Sequence, residues 1–438
     1  VTGPDDDPAF GDKFLEGAAA NGVAATEITI AEALAREPRL NPRIKRAVAV
    51  QDGSVDGWQL VWTAAQSAKE YGAEILTYHK VTSIERDGDT VSAVMCHDAK
   101  TGEDVRIGCH FVLNCAGAWA GEIAGMAGCH DVQVVPGRGI MIAMNHRLVN
   151  SVVNRLIYPS DGDIIVPVHT VCNIGTTDVK APDPDHLPIP HDEVQQMFDA
   201  GEVLVPGFRK ARALHVWAGA RPLVKDSRVG AGDTRHMSRG MSVLDHSERD
   251  GLKGLLTISG GKLTTYRLMA EHIVNAMETQ LGTTHPCRTA EEACPSGSKD
   301  ATYVPTNYHV THRLHDREHD RMHDQILCEC ELMSRRMFTD KLAEQPLASL
   351  DDLRRQLRLG MGPCQGGFCT VRATGVAHEV GTVDIERATG LLRLFLQHRW
   401  LGLWPILYGD QVRQTALDNW IFSGTLDVEH LPEGAEVV

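Results

Sequence analysis

The chain has 438 residues and a net charge of −15 at neutral pH, with 12 lysines against 31 arginines. That length suits two or three domains and a large core, and a general acidic surface resists binding to nucleic acid or anionic lipid. Eleven cysteines, an odd number with seven scattered singly, exclude a secreted disulfide framework and fit a reducing compartment.

No apolar run reaches the ~20 residues that a membrane-spanning helix needs; Arg393, His398 and Arg399 interrupt the most apolar stretch, 391–407. The opening Val-Thr-Gly-Pro-Asp-Asp-Asp is neither a signal peptide nor a tag and lacks an initiator Met, which reads as a fragment. A helix is expected over 1–27, then a short strand at 28–30 leading into a helix. A strand at 47–50 ends in the turn signal Asp52-Gly53, and Asp56 reads as the N-cap of a helix running to about 71. Strands are expected at 73–78 and 81–86, with Asp87-Gly88-Asp89 turning into a strand at 91–96 and a further strand at 105–110. The run 111–114 reads as a buried strand entering a helix through Cys115-Ala116-Gly117-Ala118-Trp119. Cys96, Cys109, Cys115 and Cys172 lie in strand-like surroundings and read as small core residues.

From 132 to 224 short strands alternate with Gly, Pro and Asp: 132–135, 139–144, 163–168, 172–175 and 214–218, with a helix at 192–201. This is the text of a mostly antiparallel sheet. A strand at 252–258 feeds Gly260-Gly261-Lys262 and a helix to about 281. Residues 285–307 read as a linker. His309, His312, His315, His319 and His323 recur at helical spacing, but Arg, Asp and Glu surround them, so a solvated helix is expected rather than a metal site.

Four segments carry chemistry. Small residues after the strand at 111–114 let backbone approach a planar or phosphorylated cofactor, although a close helix–strand crossing would need them equally. The Gly260-Gly261 turn before a helix offers N–H groups and a positive dipole end to a partial negative charge, with Lys262 adding a full one. Arg221, held before Pro222, is placed to clamp a phosphate or carboxylate, and Arg239 to supply a second clamp. Last, Cys328-Glu-Cys330 and Cys364-x4-Cys369 can bring four thiolates to one point. Zinc ribbons usually carry Cys-x2-Cys, so this spacing favours a [2Fe–2S] cluster over zinc, and a Cys328–Cys330 disulfide is sterically poor. Glycines around Cys364 free backbone N–H groups to face bound sulfur.

Together, Cys115-Ala-Gly-Ala-Trp119, Ile174-Gly-Thr-Thr-Asp178, Ala218-Gly-Ala-Arg-Pro-Leu223 and Ser259-Gly-Gly-Lys-Leu-Thr-Thr-Tyr-Arg267 resemble FAD-dependent glycerol-3-phosphate dehydrogenases. The four cysteines narrow the resemblance to the anaerobic branch, whose catalytic polypeptide ends in a domain similar to bacterioferritin-associated ferredoxin. The resemblance runs from residue 1 to about 425. It implies an α/β (α+β) fold: an FAD-binding domain of the glutathione-reductase/D-amino-acid-oxidase type, interleaved with an antiparallel substrate domain and followed by a small helical [2Fe–2S] domain. The implied bounds are FAD-binding parts at 56–130 and 240–284, substrate parts at 1–55 and 131–239, a linker at 285–327, the cluster domain at 328–385 and a helical tail at 386–438. The family's opening Gly-x-Gly-x-x-Gly is not among these residues, so its first βαβ unit is expected to be missing.

The resemblance also implies roles. Val81 would lie near the adenine, Ala116 and Gly117 along the ADP portion, and Gly260, Gly261, Lys262 and Leu263, with Thr264 beside them, at the isoalloxazine. Arg221, Arg239 and Lys262 would hold the substrate. Aerobic relatives place a histidine where Met141 stands here, which leaves the general base unassigned. Cys328, Cys330, Cys364 and Cys369 would hold the cluster. The implied reaction is oxidation of sn-glycerol 3-phosphate to dihydroxyacetone phosphate, with electrons passing through the cluster to partner subunits, one of them a membrane-anchoring iron–sulfur protein, and on to a quinone. The implied location is cytoplasmic, at the inner face of the membrane. The aromatic stretch 399–405 would dock a partner or pack on the chain's own core. Two other readings stay open. One is a related flavoenzyme acting on an amine or 2-hydroxy acid, against which Arg221, Arg239 and Lys262 favour a dianionic phosphate. The other is a truncated, non-catalytic metal-binding polypeptide.

Overall fold

The computed structural model describes residues 1–225, 240–292, 294, 314, 324–344, 349–425, 427 and 430. Arg239 and the five histidines from 309 to 323 lie outside the described residues. In chain order the first elements are α1 (Phe10–Ala20), β1 (Ala25–Ile28), α2 (Ile30–Arg36), β2 (Ala47–Val50) and α3 (Gly57–Glu70). The helix expected over 1–27 is therefore confined to its middle. Pro4 and Pro8 precede it, Gly22 at φ 68 follows it, and residues from Ala25 pair with β2. Asp56 does cap α3, accepting the Trp58 N–H at 3.0 Å and the Gln59 N–H at 3.3 Å.

A meander of β3 (His79–Asp87), β4 (Thr90–Asp98) and β5 (Asp104–Gly108) follows. The strand expected at 73–78 does not form. Those residues follow Gly72 at φ 88, Tyr78 is left-handed at φ 63, and no described strand offers them a ladder. Next come β6 (Val112–Asn114) and α4 (Ala120–Met126). Cys96 and Cys172 are buried as expected, Cys109 is half-buried, and Cys115 is exposed because the chain leaves the sheet directly after Asn114.

The antiparallel sheet contains β7 (Gln133–Met144), β8 (Val153–Asn154), β9 (Ile164–Val168), β10 (Val171–Gly175), β11 (Val179–Lys180) and, after α5 (His191–Leu204), β12 (Ala213–Lys225). The two strands expected at 132–135 and 139–144 are one strand. The strand expected at 214–218 likewise continues to Lys225, because β7 and β12 pair along their whole length with Pro136 opposite Pro222. Ile140, Ile142, Met144, Ile165 and Ile174 face Met197, Phe198 and Leu204 of α5, all fully buried. Side chains of this size contribute about 1.5–3 kcal/mol each on burial.

A second sheet orders β13 (Met241–Asp245), β14 (Leu255–Gly260) and β6, with β14 parallel to β6. Between β13 and β14 lies the single turn α6 (His246–Arg249), and α7 (Tyr266–Leu281) follows β14. The first five residues of β14 are buried, the polar Thr257 and Ser259 among them. The C-terminal region pairs β15 (Ile326–Cys328) with β16 (Met333–Ser334) and adds helices Arg335–Glu344, Leu350–Leu357, Cys369–Glu379, Ile385–Leu401 and Asp410–Asn419. Leu391 and Phe395 share one core with Cys328, Leu353 and Cys369, so that core continues past residue 385. No helix of the described residues is long and apolar enough to cross a membrane.

Candidate active site and cysteine centre

Thr257 of β14 is in register with Asn114 of β6. The two strands are parallel, so their carboxyl ends deliver Ala116–Gly117 and Gly260–Gly261–Lys262 to the same edge of the sheet. Ligands of α/β sheets bind at that edge. Gly117 has φ 58, and a Cβ there would meet nothing within 4 Å. Gly260 and Gly261, at φ 80 and 70, have no room for a side chain: a Cβ would lie 2.4 Å from the Gly240 carbonyl oxygen in the first and 2.4 Å from Met269 Sδ in the second. Lys262 and Thr265 close a reciprocal cap, the Lys262 N–H donating to Thr265 Oγ1 at 3.0 Å and that hydroxyl to the Lys262 carbonyl at 2.9 Å. A 3-10 turn over Leu263–Thr265 then starts α7 slightly later than expected.

Lys262, Leu263 and Thr264 are all exposed, with Leu263 at 51%. This edge fits a dinucleotide: open backbone without Cβ, exposed apolar Leu263 and Tyr266, and one lysine. Val81 is half-buried on β3 opposite Cys96, in a different sheet from the other expected cofactor residues.

Arg221 lies within β12 rather than after it. Its guanidinium donates to Thr176 Oγ1, to the Thr177 carbonyl at 3.1 Å and to Asp178 Oδ1 at 3.3 Å. The sequence segments 174–178 and 218–223 thus meet at one arginine. Gly139 of β7 makes the space, since a Cβ there would lie 2.7 Å from Arg221 Nη2.

The four cysteine sulfurs form an open chain of contacts. Cys330 and Cys364 are 3.9 Å apart, Cys364 touches Cys369, and Cys369 touches Cys328. Backbone N–H groups face them: Gly366 and Phe368 toward Cys364, Gly360 and Glu331 toward Cys328, and Cys364 toward Cys330. Thiol donation from Cys330 and Cys369, with those N–H groups, holds Cys364 well below the usual thiol range. The neighbouring sulfurs, with burial, push Cys330 and Cys369 up. Four thiolates cannot coexist in so small a space without a cation. Gly362 lets the loop approach, because a Cβ there would fall 2.2 Å from Cys330 Cβ.

A family model described as FAD dependent oxidoreductase matches residues 3–274. One polypeptide of the anaerobic glycerol-3-phosphate dehydrogenase of Escherichia coli K12 is 37% identical over 445 aligned positions, covering 98% of this chain and 82% of that protein. The chain belongs to that family of anaerobic glycerol-3-phosphate dehydrogenase subunits. The corresponding polypeptide of Haloferax volcanii is 36% identical, with 100% of this chain and 78% of that protein covered. In fold, the chain is similar to the glycerol-3-phosphate dehydrogenase of Bacillus halodurans solved with FAD, at a TM-score of 0.54 and 20% identity over 92% of this chain and 78% of that one. As a member of this family the chain is an FAD-dependent oxidoreductase.

The glycines and cysteines made the family recognisable in the sequence, but two polar groups escaped that reading. One is Glu331, directly after Cys330. Its side chain is fully buried and meets Arg358 Nε at 3.0 Å and His169 Nδ1 at 3.0 Å. Arg358 also reaches Asp56, the cap of α3, at 3.4 Å. The other is a set comprising Asn114, Thr257, His246 and Asp250. For Asn114 and Thr257 the signal was present in the sequence: a single polar residue interrupts each of the apolar runs Phe111–Ala116 and Leu255–Ile258.

Proposed function

We propose that the chain oxidises sn-glycerol 3-phosphate to dihydroxyacetone phosphate with FAD, and passes the electrons through a [2Fe–2S] cluster held by Cys328, Cys330, Cys364 and Cys369. The observation that carries this reading is similarity along 98% of the chain to a polypeptide of the anaerobic glycerol-3-phosphate dehydrogenase. Bound FAD would supply a hydride acceptor for the C2 hydrogen of the substrate, the hydroxyl proton going to a base. Ala116, Gly117 and Gly260–Thr264 would hold FAD along the shared sheet edge, with Val81 expected near the adenine. Lys262, exposed beside Gly261, would favour negative charge at that edge. Arg221, fixed by Thr176, Thr177 and Asp178, and Arg239 would orient the phosphate.

The cysteine geometry supports a dinuclear cluster over zinc. A single tetrahedral Zn2+ with Zn–S of ~2.3 Å would draw all sulfur pairs to about 3.8 Å. Here the contacts run end to end, from Cys330 through Cys364 and Cys369 to Cys328. The cluster would relay single electrons to partner subunits, including a membrane-anchoring iron–sulfur protein, and through them to a quinone. This reading places the chain in the cytoplasm at the inner face of the membrane, with no nucleic-acid partner.

The test is an absorption spectrum of anaerobically purified protein before and after glycerol 3-phosphate. Bleaching of flavin bands over a broad iron–sulfur envelope supports the reading. Bleaching by an amine or a 2-hydroxy acid instead would reassign the substrate, and a colourless zinc protein would remove the electron-transfer role.

A further inference from the structure

Thr257 and Asn114 are 0% and 3% exposed, side by side on parallel strands. Asn114 Nδ2 donates to Thr257 Oγ1 at 3.1 Å and to the Ala120 carbonyl at 2.8 Å. Its Oδ1 accepts the Ala116 N–H at 3.3 Å. Beyond Thr257, Oγ1 lies 2.8 Å from His246 Nε2, and His246 Nδ1 lies 2.6 Å from Asp250 Oδ2. His246 is fully buried, while Asp250 reaches solvent.

One proton assignment satisfies every member. The Asp250 carboxylate accepts from Nδ1–H, which leaves Nε2 to accept the Thr257 hydroxyl hydrogen. That hydroxyl oxygen accepts from Asn114 Nδ2–H, and Asn114 Oδ1 accepts from the Ala116 N–H. Hydrogen bonds aligned this way polarise one another, and breaking one leaves buried groups unpaired. The Cys129 thiol joins at Asp250, and Cys129, His246 and Asp250 offer ligand atoms within 4.8 Å of one another. Both nitrogens of His246 are already engaged, so the group is a hydrogen-bond relay rather than a metal site.

We propose that Asp250, His246, Thr257 and Asn114 are positioning residues that hold the Ala116–Gly117 turn in the conformation that receives FAD, and so set FAD affinity. The proposal rests on the reading that this turn lies along the ADP portion of the cofactor. Asn114 uses all of its polar atoms on the turn and its neighbours, bonding both the Ala116 N–H and the Ala120 carbonyl. Its fixed geometry in turn depends on Thr257, the one side chain that links it to His246.

The test measures FAD dissociation constants by flavin fluorescence on the flavin-stripped native protein and on Thr257→Val, Thr257→Ser and Gly117→Val, with thermal midpoints of the flavin-free forms. Thr257→Val, which keeps volume and strand preference but cuts the relay, is expected to weaken FAD by about tenfold, the worth of about one hydrogen bond. Thr257→Ser should stay within about twofold of native. Should Thr257→Val not yield folded protein, His246→Gln carries the same expectation. A lowered thermal midpoint with native FAD affinity in Thr257→Val would make the role purely structural and overturn the proposal. Native affinity in Gly117→Val would overturn the placement of FAD, and the relay's role with it. Weak binding by Gly117→Val beside native binding by Thr257→Val would overturn the relay alone.

Discussion

The Arg358 guanidinium meets the buried Glu331 carboxylate at 3.0 Å, one residue beyond Cys330. Burial opposes the charge on Glu331, yet the His169 hydrogen bond and the Arg358 charge hold its carboxyl below the usual range. Arg358 also contacts Asp56, and Gly57 beside it packs near Leu263 of the glycine loop, a Cβ on Gly57 lying 3.6 Å from Leu263 Cδ2. The cysteine loop is thereby tied through two residues to the helix flanking the Gly260–Lys262 loop. Arg358→Met takes the guanidinium from a carboxylate with no solvent exposure, and breaking a buried ion pair typically costs about 3–5 kcal/mol. Chemical denaturation should show that loss, and Arg358→Met/Glu331→Gln should recover part of it. Equal stability of native and Arg358→Met would mean that the remaining partners of Glu331, His169 and the Thr170 hydroxyl at 3.4 Å among them, satisfy it without the guanidinium.

A second prediction concerns acid. His215 of β12 packs against the turn at Gly402, where a Cβ would lie 1.9 Å from the ring, and its Nδ1 is buried with no hydrogen-bond partner among the described residues. Burial first, then the nearby Arg354 and Arg399 charges, push His215 down to about 3, with Asp351 opposing them. Unfolded, the imidazole takes its proton near 6.5. This contribution to stability is therefore complete above pH 6.5 and is lost progressively as pH falls toward 3. Between pH 6.5 and 5 the loss should be about 2 kcal/mol. Urea midpoints at the two pH values would measure it. His215→Leu should remove most of the difference, and an undiminished slope in that variant would assign the acid sensitivity elsewhere.

The sequence disclosed what recurs in short motifs. Asp56 as a cap, the Asp87–Asp89 turn, the glycine loop after β14 and the paired cysteines are each set by local chemistry, and each stands where local chemistry put it. What failed depended on partners distant in sequence. β7 runs unbroken through Pro136 only because β12 lies beside it for its whole length. Residues 73–78 have strand-like composition but no ladder to join. Arg221 looked like a free clamp, and only the folded chain brings Thr176, Thr177 and Asp178 to it. His246 was unreadable for the same reason, since Thr257 lies 11 residues further along and Asn114 on another strand.

The two loop glycines should differ in tolerance. In Gly260→Ala the new Cβ meets backbone, the Gly240 carbonyl oxygen at 2.4 Å, and in Gly261→Ala it meets the flexible Met269 side chain at the same distance. Both replacements also incur about 1–2 kcal/mol for a left-handed L-residue. Gly260→Ala should therefore lose more thermal stability and more bound flavin per chain than Gly261→Ala, because a methionine side chain moves aside more readily than the backbone leading into β13. The reverse order would show that Met269, not the backbone, sets the shape of the glycine loop.

The proposed flavin site and the proposed cluster should separate cleanly at the cysteines. Both Cys364 and Cys328 receive two backbone N–H donors, but Cys364 is an interior link in the chain of sulfurs, touching Cys330 and Cys369, whereas Cys328 stands at one end with Cys369 as its sulfur neighbour. Cys364→Ser removes two sulfur contacts, and Cys328→Ser removes one. Iron content and the broad visible envelope should fall further in Cys364→Ser than in Cys328→Ser. Flavin bleaching by glycerol 3-phosphate should persist in both, because the glycine loop and Arg221 belong to other elements. Delivery of electrons onward to a one-electron acceptor should then drop with cluster content. Loss of flavin bleaching in Cys364→Ser would show instead that the cysteine centre is needed to hold the flavin edge together, through Glu331, Arg358 and Asp56.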